Sequence, residues 1–407
     1  MTEDAGETVA IAARHYATGR PCVIDLAGDR IVSVRMGTEV VGADLAAADG
    51  DGELYVAPGL VDLQINGYAG ADFNRIPLSD EAVGETARRL WREGVTSFCP
   101  TVITNRPEAI EAAMRAIDRA CLEDPVAAGA VAGIHLEGPF ITPEDGARGA
   151  HAADAVMAPD WAWFSRWQEA SGGRIRILTM SPEWPGSAAF IAQCAAAGVT
   201  VSIGHTSATS AQIDEAVRAG ARMSTHLGNG AHLQLPRHPN YLWEQLAQDA
   251  LWACVIADGF HLPDQVLKVA LKVKGDRALL VSDAVALAGM PPGDYDTAVG
   301  GKVTLTPQGK LHLAGNERLL AGSARMLPQG IAHLARRGLA DLGTAWDMAS
   351  IRPAALMGWE AAAGLTAGAP ADLVLFRRST SAGGSLTIER TYKGGKLVYR
   401  RRLPSDN

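Results

Sequence analysis

Between Leu60 and Ser282 the chain repeats one unit, a short apolar run that stops at a turn and is followed by an amphipathic stretch. The apolar runs are Leu60 to Ile65, Val95 to Pro100, Val131 to Leu136, Ile175 to Met180, Val199 to Ile203, Met223 to Thr225, Ala253 to Ala257 and Ala278 to Ser282. Runs this short and apolar read as buried strands. The stretches between them, such as Asp80 to Glu93, Pro107 to Leu122, Ser187 to Ala197, Ser210 to Ala219 and Pro263 to Lys274, carry helical periodicity. Eight alternating units, spaced by about 20 to 45 residues, predict an α/β fold closed as a (β/α)8 TIM-type barrel rather than an open sheet.

Both ends of the chain read as β. Cys22 to Leu26 and Ile31 to Val34 flank a Gly28-Asp29 turn, and Ala371 to Phe376, Ile388 to Tyr392 and Leu397 to Tyr399 match them at the other end. Residues 1–56 and 365–407 are therefore expected to form one small sheet domain, enclosing a barrel at 57–364. Gly300 to Leu313 alternates around Pro307-Gln308-Gly309 and predicts a β-hairpin inserted after the eighth strand. Asn316 to Arg337 and Thr344 to Gly358 are expected to supply closing helices.

Composition narrows the partners. A net charge of −8 over 407 residues argues against a nucleic-acid or membrane surface, where a basic stripe is needed. The five cysteines are far apart and form no CxxC pair, which predicts reduced, buried thiols. The acidic start lacks the basic and apolar segments of a signal peptide, and no apolar run reaches membrane-helix length, so a cytoplasmic location is expected.

Loops at the carboxyl ends of barrel strands converge on one mouth. The titratable residues placed there are Glu137, His205, His226, His261 and Asp283. A single buried histidine is usually a core residue. Several at successive strand ends point to a site, because one carboxylate and two imidazoles form a common set of ligands for a hydrolytic zinc. Asp283, at the end of the last strand, either caps the following turn or acts as general base; we read it as the base. A metal lowers the pKa of its water toward about 7, within reach of a carboxylate. His135 lies on the same strand face as Glu137 by its period of two and supports the ligands from behind.

The motifs as a set resemble the N-acetylglucosamine-6-phosphate deacetylase family of the amidohydrolase superfamily. The resemblance rests on Ala57 to Gly67, His135 to Phe140, Gly204-His205-Thr206, Thr225-His226-Leu227 with Asn229, Ala257 to His261, Val281 to Ala284 and Ala321-Gly322-Ser323. It implies that Glu137, His205 and His226 bind one divalent metal, most often Zn2+, that Asp283 is the acid/base, and that His261 contacts the phosphate side of the substrate. It also implies a β-sandwich made from both termini. Where many amidohydrolases carry His-x-His on the first strand, this chain has Gln64 and Asn66, poorer zinc ligands that leave at most a weak second site.

In the family the loop after the second histidine runs through an aromatic and Asn-Ala-Met; here it reads Gly228-Asn229-Gly230-Ala231-His232. The family's Arg-Glu-Pro-Gly becomes Arg237-His238-Pro239-Asn240. By resemblance Arg237 serves the phosphate site of a neighbouring subunit, which implies a homodimer; Asn229 and the Gly230 amide complete an anion site. His151, in a segment similar to the family's Gly-x-His, is expected at the acetyl group or the sugar. His15, His312 and His333 are expected to be solvated, His232 and His238 are ambiguous, and Trp161, Trp163 and Trp167 have packing spacing. The expected activity is deacetylation of an amino-sugar 6-phosphate. An unphosphorylated N-acyl sugar or N-acyl amino acid is the alternative substrate, and a catalytically silent barrel retained for assembly is the reading from another class.

Overall fold

The structure is a computed structural model that describes residues 8–37, 53–79, 81–297, 301–379 and 384–402. Eight parallel strands form one sheet: β1 (Leu60–Ile65), β2 (Val95–Ile103), β3 (Ile134–Glu137), β4 (Ile175–Met180), β5 (Thr200–Ile203), β6 (Met223–Ser224), β7 (Trp252–Val255) and β8 (Ala278–Leu280). They are neighbours in sequence order, from β1 beside β2 to β7 beside β8. The edges meet where the Asp283 amide donates to the Gln64 carbonyl at 3.0 Å and Ile65 bridges Ala284 in parallel. Every residue of β1 and of β3 is buried, the signature of strands covered on both faces.

Local chemistry explains the helices between them. Thr209 and Gln212 form a reciprocal capping box that starts Ser210–Ala219. Pro107 opens Pro107–Glu123, where its fixed φ and missing N–H cost nothing. The predicted helix from Asp80 is Ala82–Leu90 followed by a 3-10 turn at Trp91–Glu93; Asp80 itself lies outside the described residues. Beyond β3, Phe140 is fully buried, stacked on Trp167 at 5.7 Å and edge-on to Phe190 at 5.2 Å. That anchor, worth about 3–5 kcal/mol if cut back to alanine, fixes the chain three residues past Glu137. Trp167 packs as its spacing predicts, and Trp161, though 38% exposed, lies against Phe164 at 5.3 Å and edge-on to Phe190 at 5.9 Å.

Two compact units divide the chain: residues 63–87 with 98–326, and residues 1–62 with 88–97 and 327–407. In the second, the chain ends build one continuous seven-stranded sheet, ordered Lys396–Arg400, Leu386–Lys393, Leu373–Arg378, Leu54–Pro58, Val9–His15, Pro21–Ala27, Arg30–Met36. Ile24, Leu26, Ile31, Val56, Leu373 and Leu375 form its core.

The insertion after β8 is larger than the predicted hairpin. It is a four-stranded antiparallel sheet of Gly293–Thr297, Gly301–Leu305, Leu311–Leu313 and Asn316–Leu320, and Gly300 lies outside the described residues. The helix expected from Asn316 begins only at Leu327, because Asn316–Leu320 pairs with Leu311–Leu313 instead. The expectation of solvated His312 and His333 also fails: both are buried, at 7% and 6% exposure. Among the described residues no helix is long and apolar enough to cross a membrane.

Candidate active site

β3, β5 and β6 bring Glu137, His205 and His226 to one point. Glu137 Oε1 lies 3.1 Å from His205 Nε2 and 2.9 Å from His226 Nε2, and the two imidazole nitrogens are 3.1 Å apart. All three side chains are buried. A tetrahedral ion with bonds of about 2.0–2.1 Å needs ligand atoms about 3.3 Å apart, so this set fits a small divalent cation such as zinc. The His205 Nδ1–H donates to the Ala147 carbonyl at 2.9 Å, which leaves the Nε2 lone pair aimed at the centre.

The backbone is bent to achieve this. His205 and Asp283 have φ +48 and His226 has φ +27, a left-handed region that non-glycine residues occupy at a cost of order 1–3 kcal/mol. Each turns a side chain inward just past the end of its strand.

Electrostatics follow from burial and pairing. Burial alone would push the Glu137 carboxyl up, but the imidazoles of His205 and His226 packed against it hold it well below the usual carboxylate range. Burial opposes the charge on His226, yet the Glu137 carboxylate raises it to about 9. Asp283 is pushed up to about 6, first by burial and then by the charge of Glu137. Its Oδ1 accepts from Asn66 Nδ2 at 2.7 Å, so Asn66 meets the carboxylate rather than the ligand cluster. Gln64 contributes its carbonyl to the Asp283 amide.

Asp258 orients His261. Its Oδ2 accepts from Nδ1 at 2.7 Å, and its Oδ1 accepts the Phe260 and His261 amides at 2.8 and 2.9 Å; among the described residues the ring's other nitrogen makes no hydrogen bond. His151 is buried beside the cluster, with Nε2 3.3 Å from His205 Nε2 and Nδ1 2.8 Å from Thr104 Oγ1. Burial holds its pKa down at about 3, and His205 adds to that, so it stays neutral. His135 does not reach the cluster. Its Nδ1 meets the Leu63 carbonyl at 3.0 Å and its Nε2 meets Thr179 Oγ1 at 2.7 Å, beginning a hydroxyl chain through Thr225 to Ser202 that crosses β4 and β5.

The loop after His226 is tied at its start. Asn229 donates from backbone and side chain to the His226 carbonyl, at 2.9 and 3.2 Å. Gly230, φ +56, lies so close to His205 that a Cβ would stand 2.6 Å from the ring. Arg237 is exposed, and among the described residues it makes no hydrogen bond or ion pair; with His238, Pro239, Trp243 and Glu244 it lines a surface cleft. Sequence reasoning missed Gly149, where a Cβ would stand 3.2 Å from the His205 ring, and the partners Thr104, Ala147 and Asp258. Of these only Asp258 carried a signal, an aspartate three residues before a histidine.

Comparison with known proteins gives the family. The amidohydrolase family model matches residues 55–398. N-acetylglucosamine-6-phosphate deacetylases from Danio rerio and Lysinibacillus sphaericus are 32% and 31% identical, covering 85% and 86% of this chain and the same shares of their own. A solved structure of the Mycobacterium smegmatis N-acetyl-D-glucosamine-6-phosphate deacetylase in complex with N-acetyl-D-glucosamine-6-phosphate superposes with a TM-score of 0.82, at 29% identity over 97% of this chain and 100% of that one. The chain belongs to the amidohydrolase family and, within it, to the N-acetylglucosamine-6-phosphate deacetylases.

Proposed function

We propose that this protein hydrolyses the acetamide of N-acetylglucosamine 6-phosphate, releasing acetate and glucosamine 6-phosphate. The observation that carries the reading is the convergence of Glu137, His205 and His226 on one buried point, with the Asp283 carboxyl near enough to feel the charges of Glu137 and His226. Glu137, His205 and His226 hold the metal, which we take to be Zn2+. When bound, such an ion supplies Lewis acidity to the amide carbonyl and to the attacking water.

Asp283 does the proton work. Its carboxylate takes a proton from water as the C–O bond forms, then delivers it to the amine nitrogen as the C–N bond breaks. Asn66 holds that carboxylate through Oδ1, leaving Oδ2 for the proton. His151, neutral and buried, contacts the acetyl group or sugar, and His261, held by Asp258, faces the sugar-phosphate side. Asn229, the Gly230 amide and Arg237 receive the phosphate, Arg237 reaching across a subunit boundary in a cytoplasmic homodimer.

Purified protein loaded with zinc should release acetate from N-acetylglucosamine 6-phosphate faster than from the unphosphorylated sugar. No acetate from any N-acetylhexosamine phosphate removes the substrate assignment. Faster turnover of plain N-acyl substrates favours the alternative to which the altered loop from Gly228 to Trp243 points.

A further inference from the structure

His205 is flanked by two loops, residues 141–151 after β3 and residues 227–240 after β6. Gly149 from the first and Gly230 from the second lie against its ring. Gly146, Gly149, Gly228 and Gly230 have φ of +88, +62, +94 and +56, so the local backbone is permissive and does not by itself hold either loop in one shape. One side chain fastens them together. His232 Nε2 lies 3.0 Å from Glu144 Oε2 of the first loop. The His232 backbone N–H donates to the Tyr241 hydroxyl at 2.8 Å, and Nδ1 is 3.0 Å from the same oxygen. Tyr241 is itself buried in the first turn of the helix Tyr241–Ala247, which Asn240 caps through the Leu242 and Trp243 amides.

The proton count of this cluster closes. Tyr241 oxygen accepts the backbone N–H, so its own hydrogen turns to Nδ1, and Nε2–H is left to donate to Glu144. A neutral imidazole satisfies every partner, so the link needs no ion pair. We propose that His232 is a positioning residue that fastens the two loops over the substrate and thereby sets substrate affinity rather than the rate of the chemical step. This rests on the reading of the site as a deacetylase of an amino-sugar phosphate.

The test uses the zinc-loaded full-length enzyme with N-acetylglucosamine 6-phosphate. His232→Ala and Glu144→Ala should each raise KM by about threefold to tenfold, as expected for loss of one part-exposed hydrogen bond, with kcat within about twofold of the parent. Combining them should do no more than the worse single change, and Glu144→Gln should recover the affinity lost in Glu144→Ala, because an amide oxygen still accepts from Nε2–H. Hydrogen exchange of the amides in 141–151 and 227–240 should quicken in both alanine variants whether or not the protein turns over this substrate. Additive KM effects, a fall in kcat alone, or unchanged exchange in Glu144→Ala overturns the proposal. An inactive parent enzyme overturns the substrate reading instead, and exchange still decides the clamp.

Discussion

Asn66 Nδ2 donates to Asp283 Oδ1 across 2.7 Å, joining the end of β1 to the segment that follows β8. An asparagine stands where many amidohydrolases place a histidine, and its amide serves the carboxylate. A hydrogen bond to the charged form lowers a carboxyl pKa, so Asn66 works against the burial that brings Asp283 up to about 6. The base must be ionised, so activity is lost as pH falls through its pKa. With a cation bound, the acid limb of kcat/KM should lie at or below about pH 6, and Asn66→Ala should move it to higher pH. Asp283→Asn should cut kcat by about 100- to 10,000-fold with zinc content unchanged. An unmoved limb in Asn66→Ala, or an active Asp283→Asn, rejects these roles.

The metal-free cluster carries a proton that an ion must displace. The Glu137 carboxylate outweighs burial and raises His226 to about 9, so at pH 7 the imidazole is protonated. Zinc needs its neutral form. Uptake should therefore release about one proton near neutrality, and apparent affinity should rise about tenfold per pH unit until the pH reaches about 9. Titration calorimetry in buffers of different ionisation enthalpy counts the proton; an affinity flat between pH 6.5 and 8.5 contradicts it.

The barrel was legible because its strands are buried on both faces and so appear as apolar runs, as in Leu60 to Ile65, whereas the run from Ala130 begins in the helix Pro125–Ala130 and reaches β3 only at Ile134. The ligands were legible because they follow such runs directly. Asn316–Leu320 was not, since its burial pattern is almost wholly exposed and its residues favour helix in isolation; pairing with Leu311–Leu313 decides it. The burial of His312 and His333 is a tertiary outcome with no periodic trace. The supports of the site, such as Thr104 on His151 or Ala147 on His205, come from segments 47 and 58 residues away, a distance at which spacing conveys nothing.

Gly230 should be needed for the metal as much as for substrate. A Cβ there would stand 2.6 Å from His205 Cε1 and Nδ1, and its φ of +56 already disfavours a side chain. Gly149→Ala meets the same ring at 3.2 Å and is milder on distance. Gly230→Ala should weaken zinc binding by about 10- to 100-fold, the range for disturbing a ligand's supports, and Gly149→Ala by less. Metal competition with a chromophoric chelator reads both. Full zinc affinity in Gly230→Ala would show that the loop yields instead of the histidine.

Arg237 separates the phosphate reading from its alternative. It is exposed and makes no hydrogen bond or ion pair among the described residues, so its removal disturbs no internal contact. A guanidinium engaging a phosphate by a charge-assisted pair contributes about 1.5–3 kcal/mol. Arg237→Ala should therefore raise KM for N-acetylglucosamine 6-phosphate by about 10- to 150-fold while leaving plain N-acetylglucosamine turnover and zinc content unchanged. Equal losses on both sugars would place Arg237 in the assembly rather than at the phosphate, and no loss on either would remove it from the site. If it acts across a subunit boundary, mixing Arg237→Ala with Asp283→Asn subunits should restore part of the parental kcat/KM, since each mixed dimer then holds one site with a working base and a partner's arginine.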